Sequence, residues 1–228
     1  MAHPKVRDNL QRVRERIAAA AGRAGRDPAE VRLVCVTKGI PAERIREAIA
    51  CGVGEIGENR VQETREKQPA IGREAVRWHL VGHLQRNKAR LAVELFDLIH
   101  SVDSLELIEE LERQAGNRAE RELELLVQVN VSGEATKHGC GPEEARRLAE
   151  AILRSRHLRW AGLMTMAPFA EDPERARPVF RQLRLLRDRL REGLRDSPLH
   201  LSMGMSQDFE VAVEEGATIV RVGSAIFQ

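Results

Sequence analysis

A (β/α)8 barrel, the TIM-barrel fold, carrying an extra N-terminal helix, is the architecture this sequence predicts, and three observations carry it. Eight short β-prone runs recur from residue 31 to the end of the chain. Amphipathic helical stretches alternate with them, which is the rhythm of a parallel sheet joined by crossover helices. The chain has 228 residues and no low-complexity linker or shift in composition, so a single domain over 1–228 is expected. A doubly wound open sheet is the alternative for the same rhythm.

The N-terminal helix is read from Val6, Leu10, Val13, Ile17 and Ala21, which recur at spacings of three and four. It falls within residues 1–25, ends at Gly22 or Gly25, and presents Arg7, Arg12, Arg14, Glu15 and Arg16 to solvent while docking on the barrel. The predicted strands are VRLVCVT (31–37), EIGEN (55–59), RWHLVGH (77–83), LIHSV (98–102), LELLVQVNV (123–131), LRWAGLMTM (158–166), LHLSMGM (199–205) and TIVRVGSAIF (218–227). Helical patterns separate them, among them PAERIREAIACG, SLELIEELERQAG and SQDFEVAVEEG, the last with Ser206 as its N-cap. A further helix carries Phe180, Leu183, Leu186, Leu190 and Leu194 on one face, its arginines interleaved with Asp188, Glu192 and Asp196.

Composition excludes several classes of function. Charged residues are 32% of the chain and nearly balanced, at a formal +2, which is no footprint for nucleic acid. The N-terminal segment is charged and lacks an apolar core, and no run approaches eighteen apolar residues, so neither a signal peptide nor a membrane span is expected. Cys35, Cys51 and Cys140 are odd in number and share no metal-like spacing. Free thiols in a reducing cytoplasm follow.

Barrel active sites form at the C-terminal ends of the strands. The first strand ends on VCVTK, where period-2 alternation puts Val34, Val36 and Lys38 on one face. If that face lines the barrel, Lys38 reaches its mouth, where a lysine can attack a carbonyl. The other strand ends supply Asn59, His83, Asp103, Asn130, Met166, Ser206, Gly223 and Ser224. That set is poor in paired carboxylates, which argues against glycoside hydrolysis. No metal site is expected either. His79 and His83 are four apart in a β-prone run, hence about 13 Å from each other.

Phosphate binding suits the last two strands. Gly223 permits close backbone approach, Ser224 adds a hydroxyl, and Ser206 adds another beside a helix start. Arg221 shares a face with Gly223 in an otherwise apolar run, so it points inward and needs an internal carboxylate or a ligand atom as partner. A reactive lysine, a phosphate cradle and an inward arginine together suggest pyridoxal 5′-phosphate (PLP), joined covalently to Lys38 as a Schiff base. Its ring nitrogen would face Arg221. Arginine does not readily yield a proton, so the ring would be a weak electron sink.

The segments VTK (36–38), GENRVQE (57–63), WHLVGHLQRNKAR (78–90), HSVDSLE (100–106), QVNVSGEATKHGC (128–140), GLMTMAP (162–168), LSMGMSQDFE (201–210) and VRVGSAIF (220–227) resemble, in this order, the YggS/PROSC family of PLP homeostasis proteins. The resemblance implies a barrel similar to that of alanine racemase, of PLP fold type III. It implies PLP held by Lys38, Asn59, Ser206, Arg221, Gly223 and Ser224, with His83, Met166 and Ser202 as further neighbours. Arg60 stands where many relatives carry tyrosine, and the chain stops at Gln228 where relatives continue, which implies a looser phosphate side. The family is regarded as buffering or delivering PLP, with PLP-dependent apo-enzymes as recipients, rather than as catalysing a reaction.

The residues support that independently. There is no tyrosine in the chain, and Lys38 has no convincing acid–base partner opposite it. The expectation is a cytoplasmic, non-catalytic, monomeric PLP-binding protein. A PLP-dependent racemase or lyase acting on small amino acids is the alternative.

Overall fold

Eight parallel strands pair in sequence order and close on themselves: β1 (Arg32–Val36), β2 (Glu55–Glu58), β3 (Arg77–Leu80), β4 (Leu98–Val102), β5 (Leu123–Gln128), β6 (Leu158–Met164), β7 (His200–Ser202) and β8 (Ile219–Val222). This is the TIM barrel, not the open sheet. Closure is made by β1 and β8, with Val34 opposite Arg221 and Cys35 opposite Val222. The computed structural model describes residues 4–116, 122–134, 138–193 and 200–228. Leu194, Asp196 and Leu199 of the expected elements lie outside them.

The helices cover the outside: α1 (Pro4–Arg23), α2 (Ala42–Ala50), α3 (Val61–Ile71), α4 (Ala89–Leu95), α5 (Leu105–Ala115), α6 (Ala145–Leu153), α7 (Arg177–Gly193), α8 (Phe209–Glu214) and α9 (Ser224–Phe227). Alternation along each strand divides the core in two. One layer, between sheet and helices, takes Cys35, Ile56, Trp78, Ile99, Leu125, Leu163, Leu201 and Val220. The other fills the barrel with Val34, Val81, Leu98, Leu126, Ala161, Met164 and Ile219.

All eight expected strands are present, each within its predicted run and most of them shorter. The largest correction lies in the last run, where β8 stops at Val222 and Ser224–Phe227 turns into a helix. β-Branched residues favoured a continuous strand there, but the chain must leave the barrel at Gly223. Ser206 is not the cap of α8, because Asp208 occupies that place and its carboxylate accepts from the Met205 N–H at 2.6 Å.

The interior-facing positions nearest the N-terminal ends of the strands are charged. Arg77 and Arg159 both pair with Glu124, and Arg32 lies 4.0 Å from Glu55. His200 sits among them, and burial, with the nearby arginines, pushes its imidazole down to about 4. This ring closes the end of the barrel opposite the candidate site.

The α1 helix ties the chain's last turn to the barrel. Asn9 is buried and donates to the Ile226 carbonyl at 2.9 Å. Since α9 follows directly on Gly223, α1 supports that strand end from outside.

Two predictions follow from these contacts. Asn9→Ala should cost about 1–3 kcal/mol in urea unfolding, because a buried carbonyl loses its donor. Between roughly pH 6.5 and pH 4 the unfolded chain protonates His200 and the folded chain does not, so stability should fall as pH falls through that window. His200→Asn should remove up to one proton's slope from the measured dependence of stability on pH.

Candidate functional site

The C-terminal ends of β1, β2, β6, β7 and β8 surround a cavity of about 530 Å³. Lys38, Asn59, Ser206, Arg221, Gly223 and Ser224 all line it, as does Met166. Six residues from opposite ends of the sequence therefore meet in one space because the barrel closes between β1 and β8.

Lys38 lies beyond the end of β1, in a turn. The Ile40 N–H donates back to the Thr37 carbonyl at 3.0 Å, and Gly39 takes φ +68°, where a side chain would be strained. This turn is clamped on both sides. Lys67 of α3 donates to the Thr37 carbonyl (2.6 Å), to Glu58 (2.9 Å) and to Glu63 (2.6 Å). Glu63 in turn accepts from the Gly39 N–H at 2.6 Å, and the Thr37 hydroxyl donates to Glu58 at 2.6 Å. Glu58 is fully buried, and burial pushes its carboxyl above the usual range against the pull of Thr37 and Lys67.

Sequence reasoning missed this clamp. The Glu63–Lys67 spacing of four was visible as a helical ion pair, but such pairs are ordinary surface features, and Glu58 stood in a strand run.

The Asn59 backbone is hemmed in by the segment that follows β3. Gly82 abuts its backbone so closely that a Cβ there would collide with the Asn59 carbonyl. On the other side of the cavity, the Ser206 hydroxyl accepts from the Gly223 N–H at 3.3 Å and the Ala225 N–H at 3.4 Å. These are long bonds. Two backbone N–H groups and a hydroxyl converge there, and the same donors suit an anion.

Arg221 points inward as expected and is 4% exposed. Its hydrogen-bond partners among the described residues are not carboxylates. It donates to the Ser202 hydroxyl at 2.6 Å and to the Thr165 carbonyl at 3.0 Å. Burial pushes its guanidinium down to about 10, countered by Asp208. Ser202 thus stands behind Arg221, fully buried, rather than on the cavity surface.

His83 is a different matter. It does not line the cavity; its ring stacks on His138 at 4.0 Å, nearly parallel, and its Nδ1 lies 3.9 Å from Asp103. Donor atoms of these three residues come within 4.8 Å of one another.

The ionisable side chains lining the cavity, among the described residues, are Lys38, Asp172, Asp208 and Arg221. Both carboxylates are committed locally. Asp172 accepts from the Glu174 N–H at 3.0 Å and Asp208 from the Met205 N–H. The site thus combines one amine, one fixed cation and an anion cradle. That set suits a small molecule bearing a carbonyl and a phosphate. Cys35 and Cys140 are buried thiols, both pushed up to about 12 by burial, and Cys51 is half-buried. Among the described residues no helix is long and apolar enough to cross a membrane.

Residues 9–228 match the family described as alanine racemase, N-terminal domain. A relative from Aquifex aeolicus, named pyridoxal phosphate homeostasis protein, is 44% identical over 96% of this chain and 96% of its own. One of the same name from Escherichia coli is 39% identical over 97% of this chain and 95% of its own. Among solved structures, PipY of Synechococcus elongatus with PLP bound superposes with a TM-score of 0.79 at 39% identity, covering 93% of this chain and 100% of that one. An alanine racemase of Clostridium difficile shares the fold at 16% identity and a TM-score of 0.75, covering 98% of this chain and 56% of that one.

The clamp under Lys38 is open to test. Lys67→Met should destabilise the fold by roughly 3–5 kcal/mol, because it strands the Glu58 carboxylate in the interior. Adding Glu58→Gln should recover much of that loss. Urea unfolding of the wild type, the single variant and the double variant measures both effects.

Proposed function

Because the chain belongs to the alanine racemase N-terminal domain family, and within it to the pyridoxal phosphate homeostasis proteins, we propose that it carries PLP in the barrel-mouth cavity, covalently through Lys38 Nζ. The observation that carries this reading is the convergence of Lys38, Asn59, Ser206, Arg221, Gly223 and Ser224 on one cavity. When bound, PLP supplies an aldehyde that condenses reversibly with amines.

This chain's own residues supply the rest. Lys38 offers its amine from a turn that Lys67 and Glu63 hold still. Ser206 and the Gly223 and Ala225 N–H groups form the anion cradle. Arg221 presents a buried positive charge that donates hydrogen bonds and does not readily give up a proton. Asn59, fixed by Gly82, adds a polar side chain on the β2 side.

A carrier fits this site better than a catalyst. Two-base chemistry at a substrate carbon needs an acid–base group facing the lysine. The described cavity lining offers Asp172 and Asp208 for that role, and both are engaged as backbone acceptors. Release of PLP to apo-enzymes within the cytoplasm is the homeostatic role this suggests, with the protein acting as a monomer.

Borohydride reduction of the PLP-loaded protein should fix the cofactor to Lys38, read by peptide mass. Lys38→Ala should lose that adduct while retaining weak non-covalent PLP. Neither protein should consume D- or L-amino acids. An adduct mapping elsewhere, or an unchanged adduct in Lys38→Ala, overturns the assignment.

A further inference from the structure

Beneath the cavity, polar side chains from four other strands form a line through the barrel interior. From Arg221 on β8 the contacts run to Ser202 on β7 (2.6 Å), then to His100 on β4 (2.8 Å) and to His79 on β3 (3.0 Å). The last imidazole nitrogen, His79 Nε2, lies 3.2 Å from Glu55 on β2, oblique to an in-line hydrogen bond. Ser202, His100 and His79 are fully buried. None of them was needed for the cofactor reading above.

Proton counting gives this line a single direction. A guanidinium can only donate, so the Ser202 oxygen accepts from Arg221. The hydroxyl has one hydrogen, and the acceptor facing it is His100 Nδ1. Burial and the adjacent charges hold the His100 imidazole neutral, well below its usual range. Its one hydrogen therefore sits on Nε2 and points to His79 Nδ1. The hydrogen of His79 then sits on its own Nε2, toward the Glu55 carboxylate. Every dipole is oriented the same way, with the cation at the cavity end and the carboxylate at the far end.

We propose that Ser202, His100 and His79 are positioning residues, a directed hydrogen-bond chain that holds the Arg221 guanidinium in one orientation at the cavity. The role rests on the PLP reading of that cavity; the direction of the chain does not. With the Thr165 carbonyl taking a second N–H, two of the five N–H groups of Arg221 are tied to the wall. The guanidinium cannot turn, and its remaining donors serve whatever acceptor occupies the cavity. The chain also answers a charge problem. Among the described residues Arg221 makes no direct ion pair, yet aligned dipoles ending on Glu55 stabilise its charge from behind.

Two measurements decide it. Long-range proton–nitrogen spectra of the ligand-free protein at pH 7 should show His100 and His79 both neutral and both protonated on Nε2. A cationic His100, or a proton on His100 Nδ1, overturns the chain. PLP titration then tests the role. His100→Leu, which removes the acceptor for Ser202, should weaken PLP binding about tenfold and shift the absorption band of the bound cofactor. His100→Gln, which keeps an acceptor toward Ser202 and a donor toward His79, should restore both. If His100→Leu does not fold, Ser202→Ala breaks the same chain with little change in volume and should give the same loss. Wild-type affinity and an unshifted band in these variants overturn the positioning role alone. Failure of the wild-type protein to bind PLP overturns the cofactor reading and the role together, leaving the spectra to judge the chain.

Discussion

The site depends on a turn that cannot move. Lys38 has a long, flexible side chain, so its amine is only as well placed as the backbone beneath it. Lys67 fixes that backbone by holding the Thr37 carbonyl directly and the Gly39 N–H through Glu63. The clamp requires a carboxylate, Glu58, in a fully buried place, where an unpaired charge would be severely unfavourable. Lys67 and Thr37 offset that difficulty in part, both bonding one oxygen, while burial still holds the carboxyl above its usual range. One lysine thus makes the position of another possible, and the two have different characters. Lys67 is buried in partners, whereas Lys38 faces the cavity with its amine available.

Polarity changes along the barrel axis in a way that one-strand reasoning does not reveal. At the N-terminal end, Arg32, Glu55, Arg77, Glu124 and Arg159 form a charged ring. Above it, Val34, Leu98, Leu126 and Ile219 share the interior with His79, His100 and Ser202. At the mouth stand Lys38, Arg221, Ser206 and Gly223. An apolar interior would stabilise the barrel at least as well, since burying polar groups gains little net free energy. A line of polar groups linking the charged ring to the cavity therefore calls for a functional account, and the orientation of Arg221 supplies one.

Much of this was legible in the sequence, for identifiable reasons. Period-2 alternation through Val34, Val36 and Lys38, and through Ile219, Arg221 and Gly223, is a local property, so both inward faces could be read directly. Closure brought them together, and closure followed from the count of eight strands. What escaped was whatever depended on register between distant strands. Nothing local in WHLVGH or LIHSV says that His79 and His100 touch, or that Ser202 stands between His100 and Arg221. The expectation that Ser206 caps a helix failed for a related reason. Serine and aspartate two residues apart are both good caps, and only the fold shows that Asp208 holds the cap position, its carboxylate turned back to the Met205 N–H, leaving Ser206 to reach across to Gly223 and Ala225.

The commitment of Asp208 bears on how the anion cradle is held. A carboxylate beside the cavity could serve as an acid–base group if it were free to face a bound substrate. Asp208 instead accepts from the Met205 N–H, fixing the segment that carries Ser206 into the anion cradle. Loss of that bond would loosen the segment carrying Ser206. Burial raises its carboxyl above the usual range, yet a backbone N–H and the Arg221 charge oppose protonation. Its Oδ1 accepts from the backbone of its own chain, at Met205. The mouth of the barrel suits a phosphate-bearing carbonyl compound, with the Lys38 amine beside it.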